Sequence, residues 1–281
     1  MAAFRRVVVG FDLSEGDDKL LNGLPAMRAW GIEELVLTHV VSDSLVPILH
    51  RRDPTRGVGG KLSEAETRLR WHFRVQLCIR RGDPAACLIE EASARAADGI
   101  VLGMKPAGAL REALLGNTLT DVVRATDLPV LLYPHASADG SSGRPILSPD
   151  STRILLPLDL DGPADRAVGF VGKLAAGESL PVSLLHVVEE DGIEEGPARA
   201  RLEALADKLG SVGVSEVEVI VDRGEPWERI LARSAQAGPA LIVMGIHARQ
   251  SLSSFILGSQ SREVARRSDL PLVLISRQLP S

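Results

Sequence analysis

Short aliphatic runs alternate with amphipathic segments along the whole chain. Arg6–Phe11, Leu35–Val41, Phe73–Ile79, Gly99–Leu102 and Pro129–Leu132 are rich in Val, Leu and Ile and read as buried strands. Between them, Asp17–Ala29 places Leu20, Leu21, Leu24 and Met27 at helical spacing. Ser63–Trp71, Pro84–Ala97 and Asn117–Ala125 read as further helices, and Ser42–Gly60 as an irregular stretch. Pro84 suits a first helical turn, where its missing N–H costs nothing. The order then recurs. Strands Arg153–Leu158, Val182–Val187, Val214–Val221, Ala240–Met244 and Pro271–Ile275 alternate with helices Ala164–Ala176, Ala198–Leu209, Pro226–Ala237 and Ser259–Arg267. Strands separated by helices form right-handed parallel βαβ units.

The recurrence is a tandem repeat. Val7-Val8-Val9-Gly10-Phe11-Asp12 matches Ile154-Leu155-Leu156-Pro157-Leu158-Asp159, and His39-Val40-Val41 matches His186-Val187-Val188, both at an offset of 147 residues. Arg81-Gly82-Asp83-Pro84 matches Arg223-Gly224-Glu225-Pro226 at an offset of 142, as do Val101-Leu102-Gly103 with Val243-Met244-Gly245, Leu115-Gly116 with Leu257-Gly258 and Leu128-Pro129 with Leu270-Pro271. Two constant offsets mean two copies of one module, the second shorter by five residues ahead of its Gly-Glu-Pro turn. Residues 136–151 are rich in Ser, Gly and Pro and read as a linker between domains 1–135 and 152–281. Each copy is predicted to be α/β, with five parallel strands sandwiched by helices in a Rossmann-like layer arrangement.

Composition narrows the class. The chain has 281 residues, 45% hydrophobic and 25% charged, in the range of globular proteins and long enough for two domains. No apolar run reaches the roughly 18 residues of a membrane span. The net charge is −5, with the excess acid beyond residue 133, so a basic nucleic-acid footprint is absent. Three Trp, five Phe and one Tyr are too few for base-stacking platforms. Cys78 and Cys87 cannot build a disulfide framework or a metal cage. The N-terminus enters a strand at once without a signal-peptide core, which gives a cytoplasmic expectation.

Candidate chemistry concentrates after the fourth strand of the second copy. Gly245-Ile246-His247-Ala248 precedes nine residues, Arg249–Leu257, and then Gly258-Ser259. With the Asp159 strand end, His186-Val187-Val188 and the closing Leu270-Pro271-Leu272-Val273-Leu274, this resembles the universal stress protein family. Nucleotide-binding members of that family carry Gly-x-x-Gly, nine residues, then Gly-Ser or Gly-Thr. The resemblance implies a stress-response protein that binds an adenine nucleotide in its second domain as a regulatory or signalling module. ATP is the expected ligand, with ADP and AMP as alternatives, and Mg²⁺ carried on the phosphates. It places adenine near Asp159 and Val187, the phosphates near Gly245, His247, Ala248, Arg249, Gly258 and Ser259, and adds Pro157, Leu158, Met244, Gln260 and Ser261 as further nucleotide-binding residues. Glycines admit backbone N–H groups to an anion, and a helix N-terminus adds uncompensated donors. The family also implies a pseudo-twofold pairing of the two copies through their last strands, with homodimers and a protein partner as further expectations.

The copies depart from the motif unequally. Ala248 stands at the second glycine; it keeps its N–H, but a positive φ there costs Ala about 1 kcal/mol. In the first copy that position is Pro106, which has no N–H, and Asn117 replaces the hydroxyl residue. Lys105 beside it reads as a solvated loop lysine, and Asp12 and Ser14 as helix caps. The first copy is therefore expected to be a degenerate structural partner. His39 and His186 stand at equivalent strand ends with no metal spacing and read as structural. Cys78 and Cys87 read as core or half-buried thiols, Trp71 and Trp227 as packing or interface residues. The acidic Glu189–Glu195 stretch and the Arg51, Arg52 and Arg56 cluster read as solvated loops. No nucleophile elbow, Walker lysine or paired metal ligands appear, so a binding protein is expected, with at most slow ATP hydrolysis. The rival reading is a nucleotide-free interaction scaffold of the same fold.

Overall fold

The structure is a computed structural model and describes residues 4–13, 17–42, 58–104, 117–134, 152–160, 164–189, 194–236, 238–246 and 258–276. The chain divides into two compact units at His135/Ala136. The first unit contains strands β1 (Arg6–Gly10), β2 (Glu34–Val41), β3 (Arg74–Arg81), β4 (Gly99–Met104) and β5 (Val130–Pro134). Its helices are α1 (Asp17–Gly23), α2 (Val58–Leu69), α3 (Pro84–Ala94) and α4 (Asn117–Ala125). The second contains β6 (Arg153–Pro157), β7 (Val182–Val188), β8 (Val217–Arg223), β9 (Pro239–Ile246) and β10 (Leu272–Ser276), with α5 (Asp165–Glu178), α6 (Glu195–Ser211), α7 (Pro226–Ser234) and α8 (Ser259–Arg267).

Within each unit the strands are parallel and follow one order, β3-β2-β1-β4-β5 in the first and β8-β7-β6-β9-β10 in the second. The chain steps outward through two strands, returns past its start, and steps out on the other side. Right-handed crossovers then place α1 and α2 on one face and α3 and α4 on the other. Arg68 of α2 donates to Asp18 and Asn22 of α1, as Lys208 of α6 donates to Asp165 of α5. The central strands are sealed: Val7, Val8 and Val9 in β1 and Ile154, Leu155 and Leu156 in β6 are buried. Burial on both faces explains why these strands read as continuous aliphatic runs.

The repeated Arg-Gly-Asp/Glu-Pro turn has a backbone cause. Gly82 and Gly224 sit at φ 136° and 128°, where a side chain is strained, and their N–H groups donate to the carbonyls of Val41 and Val188 at 3.1 Å. Each turn lifts the chain out of its edge strand into a helix with proline in the first turn.

Two elements differ from the sequence expectation. The predicted helix Asp17–Ala29 is α1 followed by a 3-10 helix, Leu24–Trp30, with Pro25 in its first turn and Gly31 closing it at φ 85°. Proline cannot supply the N–H that a continuing α-helix needs. The stretch expected to be irregular up to Gly60 is already helical from Val58. Val58, Leu62, Ala65 and Leu69 lie buried along one stripe, and their packing overrides the poor propensity of Gly59 and Gly60.

The edge strands are strapped to the neighbouring helix by ion pairs of opposite polarity in the two units. Arg80 of β3 holds Glu90 and Glu91 of α3 at 2.7 and 3.0 Å. At the repeat-equivalent positions, Asp222 of β8 holds Arg233 of α7 at 2.5 Å. The strand starts are reversed too: Arg74 pairs with Glu34 at 2.5 Å, whereas Glu216, just ahead of β8, pairs with Arg153.

Candidate functional site

The second unit has a topological switch point between β6 and β9, since the chain leaves β6 toward β7 and later returns to the other side. Ligands of open α/β sheets favour the crevice beyond the strand carboxyl ends at that point. β6 and β9 pair from Arg153 to Leu155. Beyond that, Leu158 donates its N–H to Leu185 of β7 at 2.8 Å. Alternate residues of a parallel strand address opposite neighbours, so Pro157 faces β9. Having no N–H, it cannot extend the ladder there. The first unit has Gly10 at this position, and β1 pairs with β4 through Gly10↔Leu102. A Cβ on Gly10 would meet Leu102 Cδ2 at 2.7 Å, so that end is closed by side chains. The β6–β9 ladder thus stops at Leu155, short of Pro157, where the β1–β4 ladder runs on through Gly10.

Of the predicted residues, Leu158, Val187 and Met244 are buried and Asp159 is exposed. Gly245 is the exposed residue of β9, and among the described residues a Cβ there would have only Ala167 Cβ as a neighbour, at 3.8 Å. Gly258 is the N-cap of α8 at φ −50°, ψ 149°, with no side-chain cap and, among the described residues, nothing within 4 Å of a would-be Cβ. The first N–H groups of α8 therefore lack a side-chain acceptor from their own cap, at the positive end of the helix. Ser259 is exposed beside them, and Ser261 is buried. His247, Ala248 and Arg249 lie outside the described residues, as do Ser14, Lys105, Pro106 and the 51–56 arginines.

Gln260 has a second engagement. Its Oε1 accepts from the Trp227 N–H at 3.0 Å, and its Nε2 donates to Glu225 Oε1 at 2.8 Å. It caps α7 from outside, a role that Asp83 fills for α3 by accepting from the Ala86 N–H at 2.9 Å. Its amide joins the heads of α7 and α8. Trp227 stacks under Arg267, with 4.3 Å from guanidinium to ring centroid. Trp71, expected to pack or anchor an interface, is 80% exposed, with Arg70 over its ring.

The two histidines act alike. His39 Nδ1–H donates to Phe11 O at 2.8 Å, and His186 Nδ1–H to Leu158 O at 2.9 Å. A carbonyl can only accept, so the proton is on Nδ1. Each ring takes over the carbonyl of the residue whose N–H makes the last bond to the adjoining strand.

The thiols are insulated. Cys87 is buried and donates to Arg81 O at 3.7 Å. Burial pushes the half-buried Cys78 thiol up, and the neighbouring Glu91 carboxylate adds to the rise. Reaction requires the thiolate. Native-state labelling of Cys78 with a disulfide reagent at pH 8 is therefore expected to run several-fold slower than in the denatured chain; an equal or faster native rate would show an activated thiol. Among the described residues, no group of three His, Cys, Asp or Glu side chains is placed to hold a metal ion, and no helix is long and apolar enough to cross a membrane.

The universal stress protein family model matches residues 3–134 and again 151–276. Universal stress protein Rv2005c of Mycobacterium tuberculosis is 29% identical over 196 residues, 65% of this chain and 62% of that protein. The match thus spans less than two thirds of the length of that relative. Universal stress protein MJ0577 of Methanocaldococcus jannaschii is 24% identical over 155 residues, 45% of this chain and 95% of that protein. A universal stress protein of Archaeoglobus fulgidus, known from its crystal structure, shares the fold with a TM-score of 0.76 at 24% identity, over 97% of this chain and 96% of that one. The chain belongs to the universal stress protein family and carries two copies of its domain in tandem.

Proposed function

We propose that the second domain binds an adenine nucleotide, ATP with Mg²⁺ on its phosphates, beyond the carboxyl ends of β6 and β9, and that the first domain is its structural partner. The observation that carries this reading is the difference between the two switch points. In the second the β6–β9 ladder ends at Leu155, short of Pro157, and α8 starts at Gly258 without a side-chain cap, whereas in the first the β1–β4 ladder runs on through Gly10, where Leu102 packs. The buried apolar side chains of Leu158, Val187 and Met244 suit a purine, and the start of α8 with Gly245 suits the phosphates. The protein acts as a cytoplasmic regulatory module, and occupancy of the site sets the state that a protein partner reads.

Nucleotide released from the freshly purified, denatured chain, identified by mass spectrometry, is expected at about one adenine nucleotide per chain, the single-site stoichiometry that a MgATP titration should reproduce. Two per chain would restore the first domain as a site. None, with no heat on titration at millimolar MgATP, would favour the nucleotide-free scaffold, a reading that Ala248 and Pro106 support. Sustained phosphate release by the purified protein would turn the binder into a slow hydrolase.

A further inference from the structure

The aspartate that ends the first strand of each unit is bracketed by two basic side chains. On one side, His186 Nδ1–H takes the Leu158 carbonyl at 2.9 Å. On the other, Arg201 Nη1 of α6 donates to the Leu160 carbonyl at 3.2 Å. The first unit repeats both contacts around Asp12. His39 holds the Phe11 carbonyl at 2.8 Å, and Lys61 Nζ of α2 holds the Leu13 carbonyl at 3.1 Å. The backbone has a reason to need this. Leu158 and Phe11 each make a last strand N–H bond, to Leu185 and Thr38, and the chain then leaves the sheet. The carbonyls on either side of the aspartate lie beyond the regular ladder and would otherwise leave the turn loosely held. Arg201 and Lys61 are not aligned by the offset that relates the histidines, and they differ in chemistry. The same contact is therefore reached from each helix by a different residue.

We infer that His186 and Arg201 are positioning residues for Asp159, fixing the loop against which the base and ribose half of the nucleotide sits. This rests on the nucleotide reading above. Neither side chain needs to touch the ligand. His186 is buried in β7 and Arg201 is exposed on α6, and each spends a donor on the loop backbone. The clamp acts on the non-phosphate half of the ligand, which separates it from an ordinary cation–phosphate contact.

The test uses the full chain and three probes: MgATP, adenosine and inorganic tripolyphosphate, each titrated calorimetrically or by competition. Arg201→Ala is expected to weaken adenosine and MgATP by the same factor, about three- to tenfold, and to leave tripolyphosphate unchanged. Arg201→Lys, which supplies the cation used by the first unit, should restore wild-type affinity for all three. His186→Ala removes the buried donor and should weaken adenosine further, with the thermal midpoint recorded alongside. Three results overturn the inference: unchanged adenosine affinity in Arg201→Ala, a loss confined to MgATP and tripolyphosphate, or a lowered midpoint with intact affinity. A wild-type chain that binds neither MgATP nor adenosine removes the nucleotide reading itself, and the clamp's ligand role with it.

Discussion

Gly258→Asp is expected to abolish MgATP binding while leaving the second domain as stable as the wild type or more so. The backbone at Gly258, φ −50° and ψ 149°, is open to any residue, and among the described residues a new Cβ meets nothing within 4 Å. Aspartate is a preferred N-cap, and its carboxylate would accept from N–H groups of the first turn of α8. The same carboxylate occupies those donors and sets a negative charge where phosphate would lie. A loss of at least about a hundredfold in affinity, roughly 2.7 kcal/mol, follows from removing charge-assisted hydrogen bonds and adding repulsion. Gly258→Ala is the control. It keeps the N–H donors and should bind within a few-fold of wild type. Calorimetric titration and thermal unfolding of both variants give the answer, and undiminished binding by the aspartate variant would remove α8 from the site.

The second large effect concerns stability. Glu91 has a side chain only 6% exposed and accepts from Arg80 at 3.0 Å and from Arg95 at 2.8 Å. Burial works against its charge, but the Arg80 hydrogen bond, with further help from Cys78 and the Arg95 charge, holds its pKa below the usual carboxylate range. Glu91→Ala should cost the first domain about 1–2 kcal/mol, because it removes a buried charged acceptor from two arginines about two thirds buried, leaving Arg80 with Glu90 and Arg95 with Gln76. Its folded pKa lies below its unfolded value, so the stabilisation is complete above the unfolded carboxylate range. It is lost as pH falls through about 4 and below. Glu34 and Asp222, lowered chiefly by hydrogen bonds from Arg6 and Arg233, add to acid lability in the same direction. Denaturant melts at pH 7 and pH 3 should therefore show the Glu91→Ala deficit shrinking in acid. The double variant Arg80→Asp/Glu91→Arg copies the Asp222–Arg233 polarity and should recover at least about 1 kcal/mol over Arg80→Asp alone. Additive losses would mean that the pair does not couple.

The repeat and nearly every strand were legible because buried parallel strands must be aliphatic throughout, so Val7–Val9 and Ile154–Leu156 announce themselves. The break at Pro25 was overridden by the helical spacing of Leu20, Leu21, Leu24 and Met27, and the start of α2 was hidden by Gly59 and Gly60. Near the candidate site, the helix start at Ser259 could be read from the sequence. The effect of Pro157 could not, because a missing N–H matters only once β9 is known to lie on that side. The Gln260 tie and the histidine clamps likewise depend on which elements become neighbours, which spacing alone does not encode.

The reversed straps make the two halves non-interchangeable. Tandem copies of one fold risk exchanging equivalent strands, within a chain or between chains, because each strand fits the other's slot in shape and hydrophobicity. Here β3 in the place of β8 would set Arg74 against Arg153 and Arg80 against Arg233. The reverse exchange would set Asp222 against Glu90 and Glu91. At the strand–helix straps each correct pairing joins opposite charges and each exchanged one joins like charges, so the ion pairs that strap each edge strand also label the half to which it belongs.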